Sequence, residues 1–465
     1  MQGPSARRLG LLAVAVLSLS LAAPSEARLG ASGTVLSAIQ GNPDLSVLAG
    51  LISQANLGGA LDGAGTFTVF APSNAAFSQL EGYQISYLKQ NAAELTGVLK
   101  YHVAGIEVPR SQMAEGEKIP TLQGSDLYVE YITNTTTLGL ASGTCEKDVH
   151  FVNDATSTGN GLVQVIDQVL FPPGLICPDA MFFVEQRGEG RVGYTGYDCR
   201  SRGTTALVNN EYKPVGVAVD SDTKQVFWSN DMNAKPFDSW LSQIPFDGSH
   251  SSVFLNDLFD PQGMDTDTSA KKIYFTEHQG SKLHRANYDG SEVETLHVFD
   301  NSDEFPADVA LDVERQLAFV AVQSQPEVLK GKLVVLAFNG SNYRVLAEDL
   351  HQNYGLCVDS RARHVYYVQG GHGGSINCYP YGDEPCPAAG GVVADGLEYP
   401  YMCAVDNLYA PYGGPTTIIF SEANVPGTVY AMDSDGSNMR KINTQLNAPM
   451  GVKLGCVKEA SLWEQ

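Results

Sequence analysis

The strongest constraint on this chain is a repeat with a period in the forties that fills its second half, the mark of a propeller or a solenoid. Three segments, Pro214-Val215-Gly216-Val217-Ala218-Val219-Asp220, Pro261-Gln262-Gly263-Met264-Asp265-Thr266-Asp267 and Pro306-Ala307-Asp308-Val309-Ala310-Leu311-Asp312, share one pattern. Two more run from Asn353 to Asp359 and from Pro400 to Asp406, and a sixth, Pro449 to Leu454, stops near the C-terminus. Each reads as a short buried strand opened by a turn residue. A second strand with aromatic residues near its centre follows, as in Phe227-Trp228-Ser229-Asn230, Tyr274-Phe275-Thr276-Glu277, Ala318-Phe319-Val320-Ala321, Tyr366-Tyr367-Val368-Gln369 and Ile419-Phe420-Ser421-Glu422. A third ends in a hairpin turn at Asp247-Gly248, Asp289-Gly290, Asn339-Gly340 and Asp435-Gly436, where tight turns need positive φ.

One further second strand, Phe182-Phe183-Val184-Glu185, precedes the first start, and the last start has no room for a unit of its own. That offset is what a ring requires, with Pro449 to Leu454 completing the blade begun by Phe182. The pattern predicts an all-β, closed six-bladed propeller over 178–456; a β-sandwich array is the alternative. The repeat resembles the YWTD, or class B, repeat of low-density-lipoprotein receptors, although no copy carries the full tetrapeptide and the flanking growth-factor-like modules of the receptors are absent.

Residues 33–173 have a different rhythm, with helical stretches among short strands, and an expected stiff boundary lies at Pro172-Pro173-Gly174. The segment from Thr66 to Phe77, with Ala71-Pro72-Ser73-Asn74, reads as a strand followed by a helix that Ser73 or Asn74 caps and whose Phe77 returns to the core. It resembles the first signature of a fasciclin domain, and Asn160 to Leu170 is similar to the second, with Gln164 where the family often has histidine. Between them stand Leu99-Lys100-Tyr101-His102-Val103, the family's Tyr-His element, and Thr121-Leu122-Gln123-Gly124. The resemblance implies an α+β domain, a role in adhesion to matrix components or other cell-surface proteins, and Tyr101 and His102 as binding residues. The plainer reading packs Tyr101 in the core and gives His102 a buried hydrogen bond.

Arg7 and Arg8, the apolar run Leu9 to Ala23 and Ser25-Glu26-Ala27 predict a secretory signal over 1–27. The run is shorter than the roughly 20 residues of a spanning helix and none like it follows, so an extracellular, secreted protein with no membrane insertion is expected. A net charge of −23 excludes nucleic acid as a natural partner, because phosphate-binding surfaces need clustered Lys and Arg. Eight cysteines without metal-ligand spacing point to disulfides in an exported chain. Cys378 with Cys386 closes a short loop and Cys199 with Cys456 joins the ends of the second half, both as guesses at pairing. Asn134 and Asn339 open glycosylation sequons.

No metalloprotease, nucleophile-elbow, phosphate-loop or dinucleotide motif is present, so no catalysis and no cofactor are expected. The strand-end Asp220, Asp267, Asp312, Asp359 and Asp406, with Asn230, Glu277, Gln369 and Glu422, are metal candidates for a propeller channel. Their recurrence once per unit favours structural use. Asp433 to Asn438 has a calcium-loop flavour but sits at the hairpin position, and turn is the better reading. His278, His284 and His297 cluster in one unit, more simply as mixed surface polarity than as a metal site. Gly370-Gly371-His372-Gly373-Gly374 is expected as an exposed loop. The leading expectation is a non-catalytic extracellular matrix or cell-surface-associated protein that binds proteins or glycans through both modules. The alternative is a secreted, metal-dependent, lactonase-like hydrolase.

Overall fold

The computed structural model describes residues 33–114, 117–134, 137–141, 149–172, 180–187, 190–196, 204–231, 237–300, 302–324 and 331–456. The expected signal, Cys199 and the Thr135-Thr136 part of the Asn134 sequon lie outside them. In the first module the strand Phe67–Pro72 runs parallel to Gly161–Ile166, flanked by Val103–Ala104 and Thr156–Thr158. Helices Val35–Gly41, Ser46–Gln54, Gly82–Gln90 and Ala92–Tyr101 bury one face against that sheet. A three-stranded sheet, Lys118–Pro120, Asp126–Asn134 and Thr137–Ala141, completes the module. The cap after Pro72 is Ser73, whose hydroxyl accepts from the Ala76 N–H (3.1 Å), while Asn74 instead accepts from the Val47 N–H (3.0 Å). Phe77 is buried, as the pattern predicted.

The second module is six four-stranded antiparallel sheets among the described residues. Blades 1 to 5 span 214–258, 261–298, 305–350, 353–398 and 400–446. Blade 6 is assembled from both ends of the module, with Pro449–Gly455 innermost against Ala180–Glu185, then Arg191–Gly196 and Thr204–Asn209. The innermost strands touch in order around a ring, and Pro449–Gly455 closes it between those of blades 5 and 1. All six predicted starts are innermost strands, so the closed ring replaces the sandwich alternative.

Each joint between blades holds its own hydrophobic cluster, six in all. A blade buries neither face alone, so the aromatic second strands are fully enclosed only when neighbours stack. Four joints repeat one aromatic pair: Phe182 with Phe246, Phe227 with Tyr288, Tyr274 with Phe338 and Phe319 with Tyr381, at centroid distances of 4.8, 4.6, 4.7 and 4.7 Å. Near the axis the innermost strands approach closely where residue three of the start is glycine, as it is in four of the six (Gly216, Gly263, Gly355 and Gly451). A Cβ on Gly216 would stand 2.1 Å from the Gln262 carbonyl oxygen of the next blade.

A second recurring tie is a hydroxyl on the second strand that reaches the next blade. Ser229 donates to the Gln262 carbonyl (2.7 Å), Thr276 to that of Ala307 (3.3 Å) and Ser421 to that of Met450 (2.9 Å). At the other three joints this position is Ala321, Val368 or Val184, and no hydroxyl exists. Asp308 takes its place between blades 3 and 4, accepting from the Val309 N–H (2.8 Å) and from the Leu356 N–H of the next blade (3.0 Å). A disulfide, Cys357–Cys403, ties blades 4 and 5. Between blades 6 and 1, the Cys456 N–H donates to the Ser221 hydroxyl (2.9 Å) and Cys456 is disulfide-bonded.

The ties are therefore interchangeable in purpose. Ser229→Ala is expected to destabilise the propeller by about 1–3 kcal/mol, because it orphans both the Gly216 N–H and the Gln262 carbonyl. Replacing Cys357 and Cys403 by serine should cost about 2–4 kcal/mol. Denaturant titration followed by tryptophan fluorescence measures both, since Trp228, Trp240 and Trp463 all lie in the second half of the chain. A midpoint unchanged in either variant would contradict the role given to that tie.

Candidate interaction surfaces

Tyr101 and His102 sit at the end of helix Ala92–Tyr101, where the chain turns into the central sheet. They are 1 % and 2 % exposed. The Tyr101 hydroxyl donates to the Asp126 carbonyl (3.2 Å). His102 accepts from the Leu170 N–H at Nε2 (2.9 Å), which leaves the proton on Nδ1 to donate to the Val98 carbonyl (2.8 Å). Burial pushes the imidazole pKa down to about 4, so it stays neutral. The pair pins a helix end to the closing segment of the module. Both side chains are enclosed and spent on these internal bonds, so the geometry gives them the structural role of the plainer reading. Gln164, where the resemblance favours histidine, donates to the Val108 carbonyl (2.8 Å) and is fully buried.

The recurring carboxylates of the propeller are likewise engaged. Asp220 accepts from the Thr223 N–H (3.0 Å) in its own turn, and from Lys271 and the Tyr288 hydroxyl of the next blade (both 2.9 Å). Asp312 repeats this with the Arg315 N–H (3.1 Å) and the Tyr381 hydroxyl (2.8 Å), and Asp359 with the Ala362 N–H (3.1 Å) and Asn407 (2.7 Å). Asp267 and Asp406 hold their own turns. At the opposite strand ends, Glu277, Gln369, Glu422 and Glu185 accept the N–H groups of Phe259, His351, Glu398 and Asn447, latching each entering loop. Asn230 lies between Ser242 and the indoles of Trp228 and Trp240.

Among the described residues no group of three His, Cys, Asp or Glu converges as metal ligands would. His284 is buried against Glu277 (2.9 Å), His278 bonds Asp260 (3.0 Å) and His297 stacks on Tyr343 at 4.5 Å, so the three serve separate contacts rather than one surface cluster. Asp435 accepts from the Ser437 N–H (2.9 Å) in a plain turn, and Asn339 from the Ser341 N–H (3.0 Å) in the equivalent exposed one. Cys378 and Cys386 are joined, while the expected partner of Cys456 lies outside the described residues. Of the glycine-rich stretch only Gly370 and Gly371 lie between strands; His372 and Gly373 are exposed but already belong to the next strand, and Gly374 is buried where a Cβ would meet the Pro400 ring at 2.7 Å.

One set of blade-to-blade differences lies at the end of the propeller where the innermost strands begin. Tyr354 and Tyr401 occupy residue two of their strands, where other blades carry Val215, Gln262, Ala307 and Met450. Their rings stack at 4.8 Å beside a cavity of about 200 Å³ that Arg187, Tyr399, Tyr401 and Met450 help to line. Burial first, then the neighbouring Tyr354, Asp260, Asp308 and Asp231, raises the Tyr401 pKa and keeps its phenol protonated. Asp308 lies deeper, over Gly263, with burial raising its pKa to about 7 against the opposing pull of Lys453. Lys453 itself reaches Asp265 at 3.3 Å. Tyr212, Phe237, Tyr399 and Val425 are exposed on the loops of this face. The sequence signal for this face was the departure from the repeat at Tyr354, Tyr401 and Asp308.

The Fasciclin domain family model matches residues 43–172. Immunogenic protein MPB70 of Mycobacterium bovis is 38% identical over 142 residues, 29% of this chain and 67% of that protein. Cell surface glycolipoprotein MPB83 of the same species is 35% identical over 148 residues, 31% of this chain and 62% of that protein. Among solved structures, a chain of a nidogen/laminin complex superposes with a TM-score of 0.49 at 18% identity, covering 60% of this chain and 99% of that one.

His102 and Asp308 give the two modules opposite pH responses. For His102 the folded pKa of about 4 lies below the unfolded value of about 6.5, so its contribution is full above 6.5 and is lost as pH falls through 4, by about 3 kcal/mol. For Asp308 the folded pKa of about 7 lies above the unfolded value of about 3.8, so its contribution is full below 3.8 and is lost as pH rises through 7, by about 4 kcal/mol. Native-state hydrogen exchange, corrected for intrinsic rates, should show Gly161–Ile166 losing protection and Phe305–Asp312 gaining it between pH 7.5 and 5. His102→Gln and Asp308→Asn should each flatten only the response of its own strand. With the whole match at residues 43–172, and two thirds of a 38% identical relative covered, the chain belongs to the fasciclin domain family.

Proposed function

We propose that this chain is a non-catalytic extracellular adhesion protein that binds matrix or cell-surface partners through two modules. Its fasciclin module is similar to that of a protein described as a cell surface glycolipoprotein, which supports a place outside the cell. The observation that carries the reading is the division of labour in the propeller. The strand-end aspartates that recur in five of the six blades are bonded to their own frame, whereas Tyr212, Phe237 and Tyr399, which follow no repeat, stand exposed on one face among carboxylates.

Aromatic side chains bury large areas with little loss of rotamer freedom, and rings beside carboxylates suit a partner surface that is apolar with basic residues at its edge. The frame explains why such a face is useful: loops vary while the ring beneath them is fixed. A fasciclin module on the same chain supplies a second contact, and two weak contacts on one partner surface reinforce each other strongly.

The test is binding of the full-length mature protein to matrix extracted from the source organism and to intact cells. Saturable retention is expected, falling at least tenfold in the Phe237→Ser/Tyr399→Ser variant and weakening as ionic strength rises. Retention unaffected by those substitutions would remove the propeller face from the reading. No saturable retention by the wild-type protein on either material would overturn the adhesive reading itself.

A further inference from the structure

The turns from the first to the second strand of blades 1 to 4 are four residues each, 221–224, 268–271, 313–316 and 360–363. In blade 5 the same turn is ten residues, 407–416. Its extra length forms a 3₁₀ turn, Ala410–Tyr412, ended by Gly413 at φ +85. Both feet of the insert are tied to Asp359 of blade 4, through Asn407 (2.7 Å) and the Thr416 hydroxyl (3.1 Å). It is a rigid projection rather than a slack loop.

The insert reaches into the fasciclin module. Leu408, Tyr409 and Tyr412 pack against that module's own hydrophobic core. Tyr409 meets Tyr83 at 5.2 Å and Tyr87 at 5.5 Å, and Tyr412 meets Tyr87 edge-on at 5.3 Å. The Asn91 amide donates to the Tyr87 carbonyl (2.8 Å) and to the Tyr412 hydroxyl (3.1 Å), so one side chain ends a fasciclin helix and holds the propeller. Gly414 fits against Tyr83 only because it lacks a side chain, since a Cβ there would lie 2.9 Å from the ring. Beside the contact a cleft of about 400 Å³ is walled by both modules, with Tyr87 and Asn91 on one side and Arg361 and Asn407 on the other.

We propose that the blade 5 insert is an intramolecular lock: it occupies the Tyr83–Asn91 face of the fasciclin module and makes the two modules one rigid body. Four neighbours in the same ring show that a four-residue turn suffices for the propeller, so the added residues serve the contact. Tethering on one chain raises the effective concentration of this small aromatic contact to the millimolar range, enough to keep it formed. Two consequences follow for binding. The helix face from Tyr83 to Asn91 is closed to outside partners, and the aromatic face of the propeller points away from the fasciclin module at a fixed orientation.

Small-angle scattering and hydrogen exchange on the full-length mature protein test the lock. Wild type should fit a single rigid arrangement, with Gly82–Gln90 protected. Tyr409→Ser/Tyr412→Ser should lengthen the particle by on the order of 10 Å, the span of a connection of a few residues, and speed exchange in Gly82–Gln90 at least tenfold. Gly414→Val, which leaves both tyrosines in place, should do the same by wedging the contact open, and unchanged tryptophan emission in both variants would show the ring intact. Wild-type scattering that needs many module orientations, or variants that match wild type in both measurements, would overturn the lock while leaving the adhesive reading untouched.

Discussion

Everything in the second module depends on the pairing of Pro449–Gly455 with Ala180–Glu185. Six hydrophobic clusters lie between blades, and each is enclosed only when both neighbours are in place. Without the last strand two of them open, and the innermost strands of blades 5 and 1 lose the neighbour that separates them. The pairing also decides where the first module sits. Because the propeller is entered at Ala180, on the second strand of its composite blade, the chain arrives at the face where the innermost strands end. Blade 5 is the neighbour at that point, and its long turn is the one that meets the fasciclin helices.

Much of this was legible in the sequence because a repeat makes weak signals add. No single start from Pro214 to Pro449 identifies a strand, but all of them together fix the strand position, the blade number and the closure. The same reasoning placed Asp220, Asp312 and Asp359 as ties, since a group that recurs in five of six units answers a need of the frame. In the first module the strand ending at Pro72 and the buried Phe77 were equally plain. The choice between Ser73 and Asn74 as cap was open because both residue types serve, and only the position of Val47 decides it.

What stayed hidden is what has no period. Cys357 and Cys403 occupy different positions in their strands, so alignment of the repeat does not pair them; only the close approach of neighbouring innermost strands does. Asp308 looks like an acidic intruder in an apolar strand until Ala321, across from it in its own blade, is seen to lack the hydroxyl that Ser229 and Thr276 provide. The contact of Tyr87 with Tyr412 joins residues more than three hundred positions apart in two unlike modules. Its only trace in the sequence is the length of one turn.

Repetition and departure thus divide the molecule by purpose. A repeated polar residue is bound to the frame, and changing it would weaken one joint in the way it would weaken any other. A residue that breaks the pattern is either a repair, as Asp308 and the Cys357–Cys403 bridge are, or lies outside what the frame requires. Tyr354 and Tyr401 do not repair a joint: residue two of the start is held elsewhere by side chains as different as Val215, Gln262 and Ala307, so the ring tolerates almost any occupant there. The stacked pair at this tolerant position, on the face turned away from the docked module, therefore serves two ends: Tyr401 packs on the clusters at both joints of the composite blade, while the pair flanks the cavity that opens on that face.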